Sequence, residues 1–120
     1  MHEMSIALGI VRIAEEEVTK RNAEFVSEIE LEIGELSGIE LDSLDFVWPV
    51  AVKETVLSHA KLEIDFRPGK AKCIDCDTKF EIHRLSDECP SCGSYFKDII
   101  QGKEMRVKTL TLEDKPQKSN

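Results

Sequence analysis

Cys73, Cys76, Cys89 and Cys92 form two Cys-x-x-Cys pairs separated by twelve residues, and the chain has no other cysteine. This feature constrains the fold most, because four thiolates at this spacing can close a tetrahedral shell around one Zn²⁺ at about 2.3 Å from each sulfur. Each pair would form a tight knuckle. In the second, Cys89-Pro90-Ser91-Cys92-Gly93, Pro90 presets φ and Gly93 supplies the left-handed position beyond the second thiol. In the first, Asp77 stands where Gly93 stands, and Asp tolerates that backbone region better than most residues with a Cβ.

Four protein ligands leave no open position for a substrate, so the expected role of the metal is structural. Rubredoxin-like iron, paired disulfides and a redox Cys-x-x-Cys are the alternatives. Disulfides belong to oxidising compartments. The N-terminus lacks a basic segment followed by an apolar stretch and a small-residue cleavage site, and no run approaches 18 apolar residues, so a cytoplasmic location is expected.

A chain of 120 residues can build one modest core plus a metal-held module. The formal charge of −8 disfavours nucleic acid: Lys70, Lys72 and Lys79 are interleaved with Asp75, Asp77 and Glu81 rather than clustered, and are expected to offset thiolate charge. No Ser/His/Asp set, phosphate loop or carboxylate pair stands at a recognisable spacing, so a catalyst is not expected.

Around the cysteines the pattern is α+β. Met4, Ala7, Leu8, Val11, Ala14 and Val18 recur at helical spacing up to Lys20-Arg21-Asn22. Phe25, Ser27, Ile29, Leu31 and Ile33 alternate with Val26, Glu28, Glu30 and Glu32, predicting a strand with one apolar and one solvated acidic face, closed by Gly34. Leu41 to Val56 suggests a second helix that Pro49 should kink or divide, with the Phe46-Val47-Trp48-Pro49-Val50 cluster in the core. Leu62, Ile64 and Phe66 predict a second strand, and 105–112 a third that returns to the first sheet after the cysteines. The expected fold class is a small three-stranded sheet with two helices, carrying an inserted four-cysteine zinc-ribbon-like domain. The expected domains are 1–68 with 102–114, a zinc domain at 69–101, and a disordered tail at 115–120.

The chain begins Met1-His2-Glu3. A free α-amine, the His2 imidazole and the intervening backbone nitrogens could chelate one ion, and a planar set of nitrogen donors suits Ni²⁺ or Cu²⁺. Because the α-amine titrates near 7.7 to 8 in model peptides, such binding weakens as pH falls below neutral. A solvated, frayed terminus is the plainer reading of the three residues taken alone.

Together, the Met1-His2-Glu3 start, the paired knuckles, the Glu-rich strand ending in Ile33-Gly34-Glu35-Leu36-Ser37 and the Leu62-Glu63-Ile64 strand make this chain resemble the HypA family of hydrogenase nickel-insertion accessory proteins. The resemblance covers all but the tail. It implies a nickel metallochaperone that works with a HypB-type GTPase to supply Ni²⁺ to the large-subunit precursor of a NiFe-hydrogenase, with self-association left open and no membrane or nucleic-acid partner. It further implies that His2 is the principal nickel ligand, with the Met1 amine and the backbone nitrogens of His2 and Glu3 as candidate co-ligands. Glu3 would tune that site or contact the partner. Cys73, Cys76, Cys89 and Cys92 carry over as zinc ligands, and the family fold implies movement between the two domains. His59 and His83 are weaker candidates for a nickel-related role, since a lone histidine at a junction or loop is usually just exposed. A zinc-ribbon module that binds protein or nucleic acid without carrying nickel is the alternative function.

Overall fold

The computed structural model describes residues 2–115, so Met1 and most of the expected tail lie outside the described residues. The elements run α1 (Glu3–Lys20), β1 (Ala23–Gly34), α2 (Leu41–Val52), β2 (Lys61–Arg67), β3 (Lys70–Cys73), β4 (Lys79–Glu81), β5 (Lys97–Gln101) and β6 (Met105–Asp114). One sheet has the order β2-β1-β6 and the other β4-β3-β5, so the chain does return to the first sheet after the cysteines. By contacts the chain divides into two compact units, Met1–Leu31 with Glu40–Glu63 and Val107–Asn120, and Glu32–Ile39 with Ile64–Arg106, so the division falls inside β1, β2 and β6.

In the first unit α1 packs against α2, burying Ala7, Ile10, Ala14 and Val18 from one and Leu44, Trp48, Ala51 and Val52 from the other. Leu8, expected on the buried stripe of α1, is half exposed, and Ile10 takes the inward position. The helix ends as its sequence suggests. Lys20 lies in the last turn, and Asn22, at φ 53°, donates its N–H to the Thr19 carbonyl.

Three expectations need correction. Burial along β1 departs from the expected alternation near its start: Val26 is fully buried, with its N–H bonded to the Val56 carbonyl, whereas Phe25 is 39% exposed. Strict alternation places Val26 on the acidic face and so in solvent, but the turn after α2, joined to it by that backbone bond, lies beside it and Val26 is buried. Second, Pro49 does not divide α2. It stands in the last turn, where losing one intrahelical bond interrupts little, and α2 runs unbroken to Val52 while Val56 falls in the following turn. Third, the aromatic cluster on α2 is split. Trp48 is buried, but Phe46 is 84% and Val50 69% exposed, because they share the helix face opposite Leu44, Trp48 and Ala51.

The acidic face of β1 is also not a plain solvated stripe. Glu32 is buried, and one of its carboxylate oxygens accepts from both Nε and Nη2 of Arg106, at 3.1 and 2.8 Å. Arg67 Nε lies 3.9 Å from the other oxygen. Lys108 sits 3.9 Å from Glu30. The Glu30–Lys108 and Glu32–Arg106 pairs run in opposite directions along β1 and β6, which makes those strands antiparallel neighbours. Cations flanking the central strand let a row of glutamates sit in a sheet without mutual repulsion.

In the second unit β3 pairs antiparallel with β4 (Ala71 opposite Phe80) and with β5 (Ala71 opposite Ile99), with an irregularity between Lys70 and Ala71. Its buried apolar and thiol side chains are Ala71, Ile82, Cys73 and Cys89, with Ile33 from the end of β1, a core too small to rely on apolar burial alone.

Candidate metal centre

β3 ends at Cys73, and the first knuckle turns immediately beyond it. The Cys73 N–H donates to the Thr78 carbonyl at 2.8 Å and the Asp77 N–H to the Cys73 carbonyl at 3.0 Å. The second knuckle repeats this: Cys89 N–H to the Ser94 carbonyl at 2.8 Å, and Gly93 N–H to the Cys89 carbonyl at 2.8 Å. Asp77 at φ 63° and Gly93 at φ 75° hold the equivalent left-handed positions, as the sequence predicts.

The two knuckles bring the four sulfurs within 4.8 Å of one another. Cys73 and Cys92 lie 3.6 Å apart and Cys76 and Cys89 3.5 Å, well beyond a disulfide bond, and all four cysteines are free. Tetrahedral Zn–S bonds of about 2.3 Å require sulfurs about 3.8 Å apart, so the donor set and its spacing fit such an ion. Cys73 and Cys89 are buried, while Cys76 and Cys92 are exposed. The thiols differ in acidity. The hydrogen bond to the Thr78 hydroxyl, with a Thr78 backbone bond, lowers the Cys76 pKa to about 6. At Cys92 the Ser94 amide favours the thiolate, but Cys73 and the other neighbouring thiols outweigh it and push the pKa up to about 12. A divalent cation offsets that repulsion and lets all four bind as thiolates.

Thr78 and Ser94 complete the hydrogen bonding of the knuckles, a part that the cysteine spacing alone does not reveal. Besides accepting the amide bonds, each brings its hydroxyl into its knuckle or the neighbouring one, Thr78 to Cys76 and Ser94 to Asp75. Their signal is in the sequence as a hydroxyl residue two positions after the second cysteine of both pairs.

At the other metal motif, His2 is exposed and is the N-cap of α1, its carbonyl accepting the Ile6 N–H at 3.2 Å. Glu3 opens the helix, and its Oε2 accepts the N–H of Glu40, the N-cap of α2, at 3.2 Å. That bond, foremost, holds the Glu3 carboxyl below its ordinary pKa. Met1 lies outside the described residues. Among the described residues the cysteine cluster is the one group of three or more His, Cys, Asp or Glu placed to hold a metal. His59 lines a shallow depression with Glu15, Glu24 and Glu54 in the first unit, and His83 is bonded to Glu35 in the second.

The family described as hydrogenase/urease nickel incorporation, metallochaperone, hypA matches residues 1–112. The chain belongs to the HypA family. It is 43% identical over 113 residues to the hydrogenase maturation factor HypA of Parabacteroides distasonis, covering 94% of this chain and 98% of that protein. It is also 43% identical over 112 residues to that of Francisella philomiragia, covering 93% and 99%. A solution structure of the Ni metallochaperone HypA from Helicobacter pylori superposes with a TM-score of 0.67 at 27% identity, covering 96% of this chain and all of the other. The fold is therefore that of the HypA family, two helices and small sheets with a four-cysteine module. No helix among the described residues is long and apolar enough to cross a membrane.

Proposed function

We propose that this protein is a cytoplasmic nickel carrier that binds Ni²⁺ at its N-terminus through His2, with the Met1 amine and backbone nitrogens completing the ligand set. Its recipient is the large-subunit precursor of a NiFe-hydrogenase and its partner a HypB-type GTPase. It acts as a carrier rather than a catalyst. The four cysteines hold Zn²⁺ as a structural ion in a domain at 69–101, and the nickel domain comprises 1–68 with 102–114.

The observation that carries this reading is the family match starting at residue 1, which includes the Met1-His2-Glu3 chelating sequence, together with the exposure of His2 at the start of α1. A shell of four cysteines has no vacancy for a second ion, so a transported metal needs other donors. A chain end supplies nitrogen donors that can be stripped one at a time by an acceptor, which suits cargo that must be released. Glu3 contributes its backbone nitrogen and positions the terminus, since its carboxylate is committed to the Glu40 amide.

Calorimetric Ni²⁺ titration of zinc-loaded, untagged protein tests the proposal, beside His2→Ala and a variant extended by one residue before Met1. Wild type should bind nickel at micromolar or tighter affinity, and both variants should lose at least about tenfold, or 1.4 kcal/mol, while retaining zinc. Equal binding by all three would remove the terminus from the site and favour a zinc-ribbon interaction module.

A further inference from the structure

One carboxylate in the second unit joins three chain segments and serves neither metal site. Glu35, just after β1, accepts the Gly69 N–H on Oε1 at 2.8 Å and lies 2.7 Å from His83 Nδ1 through Oε2. Its own N–H donates to the Arg67 carbonyl at 2.9 Å, and Ile82 N–H donates to the Gly69 carbonyl at 3.0 Å. Gly69 is the residue at which the chain enters the cysteine module, and it is packed so tightly that an added Cβ would collide with the Ile82 carbonyl. His83 lies in the loop between the knuckles, where Asp87 Oδ2 accepts from both the His83 and Arg84 amides.

We propose that Glu35 and His83 form a proton-responsive latch that ties the loop between the two knuckles to the Arg67–Gly69 entry turn.

The charges around the imidazole favour its protonated form. Glu35, Glu81 and Asp87 all raise the His83 pKa, with the Glu35 hydrogen bond the largest contributor. The nearby cations are engaged elsewhere: Arg84 acts on Asp87, and Lys97 Nζ donates to the carbonyls of Leu85 and Asp87. An imidazolium bonded to a carboxylate forms a charge-assisted bond, roughly twice as strong as its neutral counterpart. The sign follows from linkage. His83 has a raised pKa in the folded state, so its contribution is full below about 6.5 and is lost as pH rises through the folded value. The Glu35 pKa is lowered, first by the Gly69 amide, so its contribution is present above 4.5 and is lost as pH falls through its folded value. The latch is therefore closed between these two folded-state values and loosens on the alkaline side as the imidazolium loses its proton.

The test uses the zinc-loaded full chain. The His83 ring is titrated by NMR, and Gly69 amide exchange, corrected for its intrinsic pH dependence, is followed from pH 5 to 9 in wild type, Glu35→Gln and His83→Gln. The latch requires the wild-type His83 midpoint to exceed that of Glu35→Gln by about half a pH unit or more, a threefold change in proton affinity. It also requires Gly69 protection in wild type to fall as pH crosses the His83 midpoint, and His83→Gln to abolish that step. Identical His83 midpoints, or a Gly69 protection step that survives in His83→Gln, would overturn it. If Glu35→Gln fails to hold zinc, the comparison of wild type with His83→Gln still decides. The readouts involve no nickel, so a failure of the carrier proposal leaves them unaffected.

Discussion

At the scale of single residues, the glutamates carry most of what composition conceals. Glu28, Glu30 and Glu32 are chemically alike and evenly spaced on β1, yet Glu32 alone is buried, bonded by Arg106 and approached by Arg67. Its removal leaves two guanidinium groups facing each other. Because both are partly exposed, the cost falls below that of breaking a fully buried pair, and Glu32→Ala should destabilise by about 2 kcal/mol, read as a lower urea midpoint at unchanged slope. Glu30→Ala, on a pair with both side chains about one-third exposed, should cost well under 1 kcal/mol. The partners of Glu32 lie 35 and 74 positions away in sequence, and no local pattern along β1 distinguishes it from its neighbours. By contrast the left-handed position of Asp77 was legible, because it depends on a turn set by residues within five positions of it.

At the scale of elements, the helices and strands largely followed their hydrophobic periods, and the differences lie where a neighbouring segment covers a residue or where adjacency in sequence stood in for the helical period. Val26 is buried and Phe25 partly exposed where the turn after α2 meets β1 through the Val26 N–H and the Val56 carbonyl. Phe46 and Val50 read as core because they flank Trp48 in sequence, but a 100° turn per residue places them on the other side of the helix. The connection after β1 has its own constraint. Gly34 donates to the Glu104 carbonyl and Leu36 to the Gly102 carbonyl, and a Cβ on Gly34 would run into the Gly102 backbone. Here glycine serves close approach rather than an unusual φ. Gly34→Ala forces two backbones apart and should cost about 3 kcal/mol, with faster exchange of the Gly102-bonded Leu36 amide as the local signature. Gly9→Ala, where the added Cβ meets nothing within 4 Å, should be neutral or stabilising.

At the scale of the whole molecule, the two units draw on different sources of stability. Among the described residues the first buries twelve apolar side chains from helix and strand and Leu57 from the turn after α2, while the second buries three apart from its cysteines. Chelation of the zinc should therefore abolish amide protection at Ala71, Cys73 and Cys89 while leaving that at Ile10, Ala14 and Ile29 largely intact. Parallel loss in both units would contradict this division. The amino-acid sequence by itself determined the four-cysteine centre, the paired knuckles, the helices, the strand returning after the cysteines and the membership of the HypA family, because ligand spacing, turn chemistry and periodicity are short-range properties. Tertiary structure alone decided which glutamate is buried, which face of α2 meets solvent, that Glu3 is committed to the Glu40 amide, and that Glu35 gathers Gly69 and His83. Each of these depends on residues far apart in the chain arriving at one place, and a one-dimensional pattern records a residue's chemistry but not its distant partner.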